Sequence, residues 1–191
     1  MKRAILLLLF FTSLQIFSQE YHVDKSKENL VKFISDAPLE DFEGITDYID
    51  GYMYLKSLND LSGSKLYFEV DLTTLDTGID LRNRHMRENY LETDKYQFTF
   101  FEGMIDKLTE KAHGNYAVEV SGKLFIHGVT KDIKVTGSLK PINNGFFVES
   151  DFTVALSDYK VDIPQLMFMK IDENMKLQVK FYLEKFTQTE G

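Results

Sequence analysis

This 191-residue sequence predicts an all-β fold, an antiparallel barrel or sandwich of about eight strands with one short helix. Three observations carry that reading. Apolar residues alternate with polar ones in segment after segment, the period-2 signature of a strand with one buried face. Clusters of turn-forming residues separate those segments. Helices are few, and the best candidate is Ile79–Asn89.

Taken in order, the chain begins with an export-type leader. Met1–Ser18 has a basic start at Lys2 and Arg3, an apolar run from Ala4 to Phe11, and a small residue, Ser18, before Gln19. These are the parts of a cleavable signal peptide, although Ile16 is an unusual residue two positions before Ser18. The apolar run is short of the roughly 20 residues that a membrane-spanning helix needs. Residues 19–187 then read as one domain of roughly 170 residues, enough for a sizeable core. In that domain Leu66, Phe68, Val70 and Leu72 alternate with Tyr67, Glu69 and Asp71. Ile79–Asn89 breaks the alternation and carries Asp80, Arg84 and Glu88 at helical spacing. Alternation returns in Tyr116–Ile126 and Ile133–Leu139, with Gly122 and Gly137 as points where a curved strand can bend. Turns fall at Ser62-Gly63, His113-Gly114-Asn115, Gly128 and Asn143-Asn144-Gly145. Gly128 is expected to need a positive φ, and Asp76-Thr77 is expected to close a strand end or cap the helix. Val161–Ile171, with Leu166, Met167, Phe168 and Met169, reads as an apolar flap or as a core hairpin. Leu177, Val179, Phe181 and Leu183 form the last alternating strand, and 188–191 reads as a frayed tail.

Composition narrows the function. The precursor carries a net charge of −8, and loss of Lys2 and Arg3 with the leader takes it to about −10. Such an acidic chain lacks the Lys and Arg clusters that nucleic-acid phosphates demand. With no cysteine, it has neither a disulfide nor a lipid-modified cysteine anchor. His22, His85, His113 and His127 form no short metal-binding or catalytic motif, and there is no nucleophile elbow. No enzyme activity, metal or cofactor is therefore expected. Closing the sheet into a barrel removes its edges, and about eight strands leave room for a small ligand. The inward positions would be Phe68, Val70, Phe98, Phe100, Leu124, Ile126, Leu177, Val179 and Phe181, with Leu166 and Phe168 from the flap. Such a lining suits a long apolar lipid, at roughly 0.8 kcal/mol per buried CH2. Periodicity alone leaves open a filled barrel with a structural or partner-binding role.

Two spaced motifs narrow the choice further. Thr74–Gly78 (TLDTG) is followed by Arg82–Glu88 (RNRHMRE) and Asp94–Phe101 (DKYQFTFF), and later by Gly122–Val135 (GKLFIHGVTKDIKV). Their order and spacing resemble the YceI-like family of periplasmic, lipocalin-like proteins that bind polyisoprenoid lipids. The chain departs from the family pattern at Lys25, Asn83, Met86 and Gln97, where a histidine, an acid, a leucine and a proline are usual. The resemblance implies a lipocalin-like β-barrel in the periplasm or secreted, with an isoprenoid or similar long-chain lipid inside. It is compatible with a homodimer. Arg82 and His85 share a helix face, with Arg87 nearby, and are the candidates for a lipid head group at the mouth. Their alternative role is to tie the helix to the rim through acids such as Asp76 or Asp80.

Overall fold

The computed structural model describes residues 19–35, 41–163, 165–166 and 169–187, with side chains of 164–170 left aside. The expected leader, the tail, Phe168 and the side chain of Leu166 lie outside what is described. The main strands are β1 (Gln19–Val23), β2 (Leu30–Ser35), β3 (Phe42–Thr46), β4 (Ile49–Leu55), β5 (Lys65–Asp71), β6 (Phe98–Glu110), β7 (Tyr116–Ile126), β8 (Val129–Ile142) and β9 (Gly145–Ala155). A two-residue pair, β10 (Gln165–Leu166) and β11 (Met169–Lys170), precedes the last strand, β12 (Asn174–Lys185). The helical segment is α1 (Asp80–His85), which runs into a π-turn at Met86–Tyr90.

Ten of these strands pair in the order β1-β4-β5-β6-β7-β8-β9-β12-β2-β3, and β1 pairs with β12 to close the ring. β1 and β2 are two halves of one broken strand, because both lie antiparallel on β12. β3 and β4 are likewise one strand broken at Asp47-Tyr48. The result is an eight-stranded, up-and-down, closed antiparallel barrel, as the alternation predicts. Local chemistry makes each break. Asn29 is buried where the first strand parts, and its side-chain oxygen accepts the Tyr182 N–H at 3.0 Å in place of a backbone partner. Thr46 is buried at the second break and accepts the Tyr48 N–H at 3.0 Å.

The two ends of the barrel differ. Residues 56–64, 111–115 and 143–144 connect strands at the lower end, where Tyr21, Met53, Leu55, Phe146 and Leu183 are buried and Leu58 and Leu61 pack against them. The longer described connections, 72–97 and 156–163, gather at the upper end. Also there, β7 turns into β8 through His127 (φ 48°) and Gly128 (φ 76°). Two successive positive φ angles make a tight turn that matches strand twist. A Cβ on Gly128 would lie 2.9 Å from the Tyr96 ring, so glycine is needed for space as well as for φ.

One seam interrupts the wall. β8 and β9 pair only from Gly137↔Ser150 downward to Ile142↔Gly145. Above that point β8 keeps β7 and β9 keeps β12, and the ladder between the two ends with the Ser150 hydroxyl donating to the Thr136 carbonyl at 2.8 Å. The segment after β9 sits beside the gap: Lys131 on β8 bonds Asp158 at 2.8 Å, and Tyr159 and Val161 are buried.

Candidate functional site

The barrel is hollow. A cavity of about 660 Å³ opens beside α1 and runs down to Leu66 and Phe181. That volume falls within the ~300–1,000 Å³ typical of small-molecule sites. Its wall is built from inward positions of nearly every strand, so each strand's alternation supplies a share of one apolar surface. Of the residues that the sequence points to, Phe68, Val70, Leu124, Ile126, Leu177, Val179 and Phe181 line it. The Phe68 and Phe181 rings meet at 4.7 Å near the lower end.

The expected phase of β6 needs correction. Phe98 is 39% exposed, and the Phe100 ring stacks between Tyr67 and Phe125 on the outer face, at 5.9 and 4.7 Å, while bordering the cavity. The inward residues of this strand are Thr99 and Phe101, which line the cavity, and Ile105, which is buried below them. Three phenylalanines within four positions leave the alternation undecided. Glycines decide it: the Phe101 ring lies over the paired Gly103 and Gly122, where a Cβ would come within 2.6–2.7 Å of it. Gly122 is thus a space for a ring as well as a bend. Val31, Phe33, Val118, Val120, Val148 and Phe152 also line the cavity and were not singled out from sequence, although they follow the same alternation.

The lip is a small polar construction around Asn83, which is 6% exposed. Its side-chain oxygen accepts from the Thr77 N–H at 2.8 Å and the Thr77 hydroxyl at 2.6 Å, and its amide donates to Asp76 at 2.7 Å. Asp76 also accepts the Gly78 N–H at 2.8 Å, closing the turn at Gly78 (φ 76°), and its backbone bridges Ile45. Thr74–Gly78 therefore closes a turn, as expected. It does not cap α1 through a side chain, since the cap position is Ile79 and has no such bond. Arg82 and His85 both reach the cavity mouth. Arg82 does tie the helix to the rim, but through oxygens of Thr77, at 3.0 and 2.7 Å, and over the face of Phe42, not through Asp76 or Asp80. Arg87 does the same with the Thr73 carbonyl at 2.7 Å. His85 is exposed.

A second tie fastens the far end of the lip to the barrel. Glu92 bonds Lys95 and accepts from His127 at 2.9 Å, so the 86–97 connection is pinned to the β7–β8 turn. Among the described residues, no group of three metal-ligating side chains converges.

Asp76 and Glu92 have carboxyl groups held below the usual range, the first chiefly by the Asn83 amide, the second by Lys95 and then His127. A lowered folded-state value means stabilisation that is present above the ordinary carboxylate range and is lost as pH falls through the lowered values. Both ties should therefore loosen below about pH 4. Hydrogen exchange in residues 76–97 is expected to accelerate at pH 3.5 relative to pH 6.5, beyond the intrinsic pH effect and more than in β7 and β8. Equal protection of lip and wall at both pH values would contradict this.

The description of the YceI-like domain matches residues 21–183 of the chain. A UPF0312 protein of Vibrio parahaemolyticus is 33% identical over 98 residues, covering 44% of this chain and 50% of that protein. The chain thus spans about half the length of that curated relative. A polyisoprenoid binding domain from Saccharophagus degradans, implicated in plant cell wall breakdown, superposes with a TM-score of 0.72 at 18% identity, over 89% of this chain and 100% of that one. Burkholderia cenocepacia BcnA gives 0.68 at 18% identity, over 84% and 98%. The YceI protein of Campylobacter jejuni gives 0.58 at 16%, over 76% and 85%. At these identities the structural likeness speaks for the fold.

Proposed function

The chain belongs to the YceI-like domain family, and from that premise we propose that it binds one long apolar lipid, of the polyisoprenoid type, without chemically altering it. The observation that carries the reading is the apolar cavity of about 660 Å³ within a closed barrel. At about 30 Å³ per water-sized group, it admits roughly twenty chain atoms. Burying that many CH2-sized groups at ~0.8 kcal/mol each exceeds the ~8 kcal/mol of micromolar binding, with a margin for lost motion. A filled, purely structural barrel would have no use for such a void. We further propose that the protein acts outside the cytoplasm, on the strength of the leader-like Met1–Ser18. Arg82 and His85 face the mouth, where a polar end group would lie.

Mass spectrometry of protein purified without detergent, run intact and after organic extraction, tests both parts. A chain beginning at or near Gln19 and a stoichiometric long-chain lipid are expected. A full-length chain in the cytoplasm would overturn the export reading, and folded protein with no extractable lipid would overturn the carrier reading.

A further inference from the structure

The exposed apolar side chains of this protein are not scattered evenly. Among the described residues, eight large ones are exposed, and Ile45, Tyr48, Ile79, Leu81 and Phe98 sit on the segments around the mouth. Ile79 and Leu81 are 50% and 53% exposed yet also line the cavity, so an apolar surface runs without interruption from solvent into the barrel. Leaving two aliphatic side chains half in water at the rim of an apolar hole has no benefit for folding, and exposed apolar patches mark interaction sites.

Charge is concentrated in the same place. Beyond Arg3, the arginines of the chain are Arg82, Arg84 and Arg87, all within one six-residue stretch at the lip. Asp80 and Glu88 stand directly beside them, and Asp76, Glu92 and Asp94 lie farther along the lip, in a chain whose net charge is −8. Residues 79–88 are thus locally positive, with three arginines against two acids, on an otherwise acidic body. Arg82 and Arg87 spend part of their hydrogen-bonding capacity on Thr77 and Thr73, whereas Arg84 is exposed and makes no ion pair among the described residues. Three clustered arginines beside exposed aliphatic side chains give an anionic surface one local point of attachment on an otherwise acidic body, which sets orientation as much as affinity.

We propose that the mouth, through Ile79, Leu81 and Arg84, docks on an anionic lipid bilayer, and that lipid enters the barrel directly from the membrane across this lip. The proposal rests on the lipid-binding reading above. In that geometry the apolar chain never crosses water, and the arginines meet head-group phosphates while the two aliphatic side chains enter the boundary with the acyl region.

The chain has no tryptophan, so Leu81→Trp introduces a single reporter. Its emission is expected to shift to the blue on adding vesicles of equal parts phosphatidylglycerol and phosphatidylcholine, and much less with phosphatidylcholine alone. No shift on either would overturn docking, and equal shifts would overturn the anionic assignment. In a second measurement, the variant Arg84→Glu, altered at an exposed residue that does not line the cavity, takes up a fluorescent polyprenol analogue from vesicles or from dilute ethanol. Uptake from vesicles should slow by about tenfold or more, with uptake from ethanol unchanged. Unchanged uptake from vesicles would overturn the proposal. Failure of the unaltered protein to bind the analogue from ethanol would instead overturn the lipid-binding reading, which separates the two.

Discussion

Phe181→Asp is expected to leave the protein unable to retain lipid through purification and to lower its stability by about 4 kcal/mol or more. Phe181 is 4% exposed on β12, its ring lies 4.7 Å from that of Phe68, and it borders both the lower core and the cavity. Truncating a buried phenylalanine costs about 3–5 kcal/mol from lost contacts and the void left behind. Among the described residues its neighbours are apolar, so a carboxylate placed there either stays charged at a large desolvation cost or takes up a proton. Since a domain of this size has about 5–15 kcal/mol in all, loss of lipid in this variant could reflect unfolding alone. Val179→Phe removes that ambiguity. Val179 lines the cavity, so the larger ring extends into empty space and does not overpack its neighbours. It should fold with unchanged or raised thermal stability and carry markedly less lipid. A Val179→Phe protein with a full complement of lipid would mean that the lipid lies elsewhere.

The difference between these two substitutions depends on knowing which residues face inward, and the sequence supplies most of that. In β5 and β12 the apolar and polar sets alternate cleanly, and Leu66, Phe68, Val70, Leu177, Val179, Phe181 and Leu183 all point inward as their spacing predicts. In β6 it fails at Phe98, and Phe100 borders the cavity while its ring stacks outside, because the outer face of the barrel is aromatic too. Tyr52, Tyr67, Phe100 and Phe125 form a stacked row there, each ring within 6 Å of the next. A β-bulge between Ile105 and Lys107 then reverses the phase within the same strand, so that Leu108 packs inward. The helix near Ile79–Asn89 is legible, but its second half is a π-turn, a difference of hydrogen-bond register that residue types do not encode. The seam between β8 and β9 is invisible for a related reason. Val129, Ile133 and Val135 keep facing the interior above Gly137, whether or not the neighbouring backbone is bonded. Side-chain periodicity reports which way a residue faces, not which strand lies beside it.

The same distinction explains why Asn83 stands out in the sequence only as a departure from a family pattern, when its position makes it the centre of the lip. Asn83→Leu is expected to open the lip without unfolding the barrel. The two side chains are similar in shape, but leucine neither accepts from the Thr77 N–H and hydroxyl nor donates to Asp76. Stranding several polar groups at a site that is 6% exposed costs on the order of 2–4 kcal/mol. Residues 72–90 make few contacts with the strands compared with the strands' own pairings, so that cost should appear as local opening. Hydrogen exchange in 76–90 should speed up by about 30-fold or more, while the midpoint of global unfolding moves by only a few degrees. Bound lipid should leave faster by a similar factor. Asn83→Asp is the informative control. A carboxylate there can still accept both Thr77 hydrogens, and it restores the acid that the family pattern favours, but it loses the donation to Asp76 and sets a second carboxylate against it. That variant should open less at neutral pH and recover as the pH falls toward 5, where a proton shared with Asp76 replaces the lost N–H donor. The sign is opposite to the unaltered lip, because a carboxyl group whose folded value is raised by its neighbour contributes more as the solution becomes more acid. Equal opening in the leucine and aspartate variants, with no dependence on pH, would show that Asn83 fills space at the lip and that its hydrogen bonds do not hold the mouth.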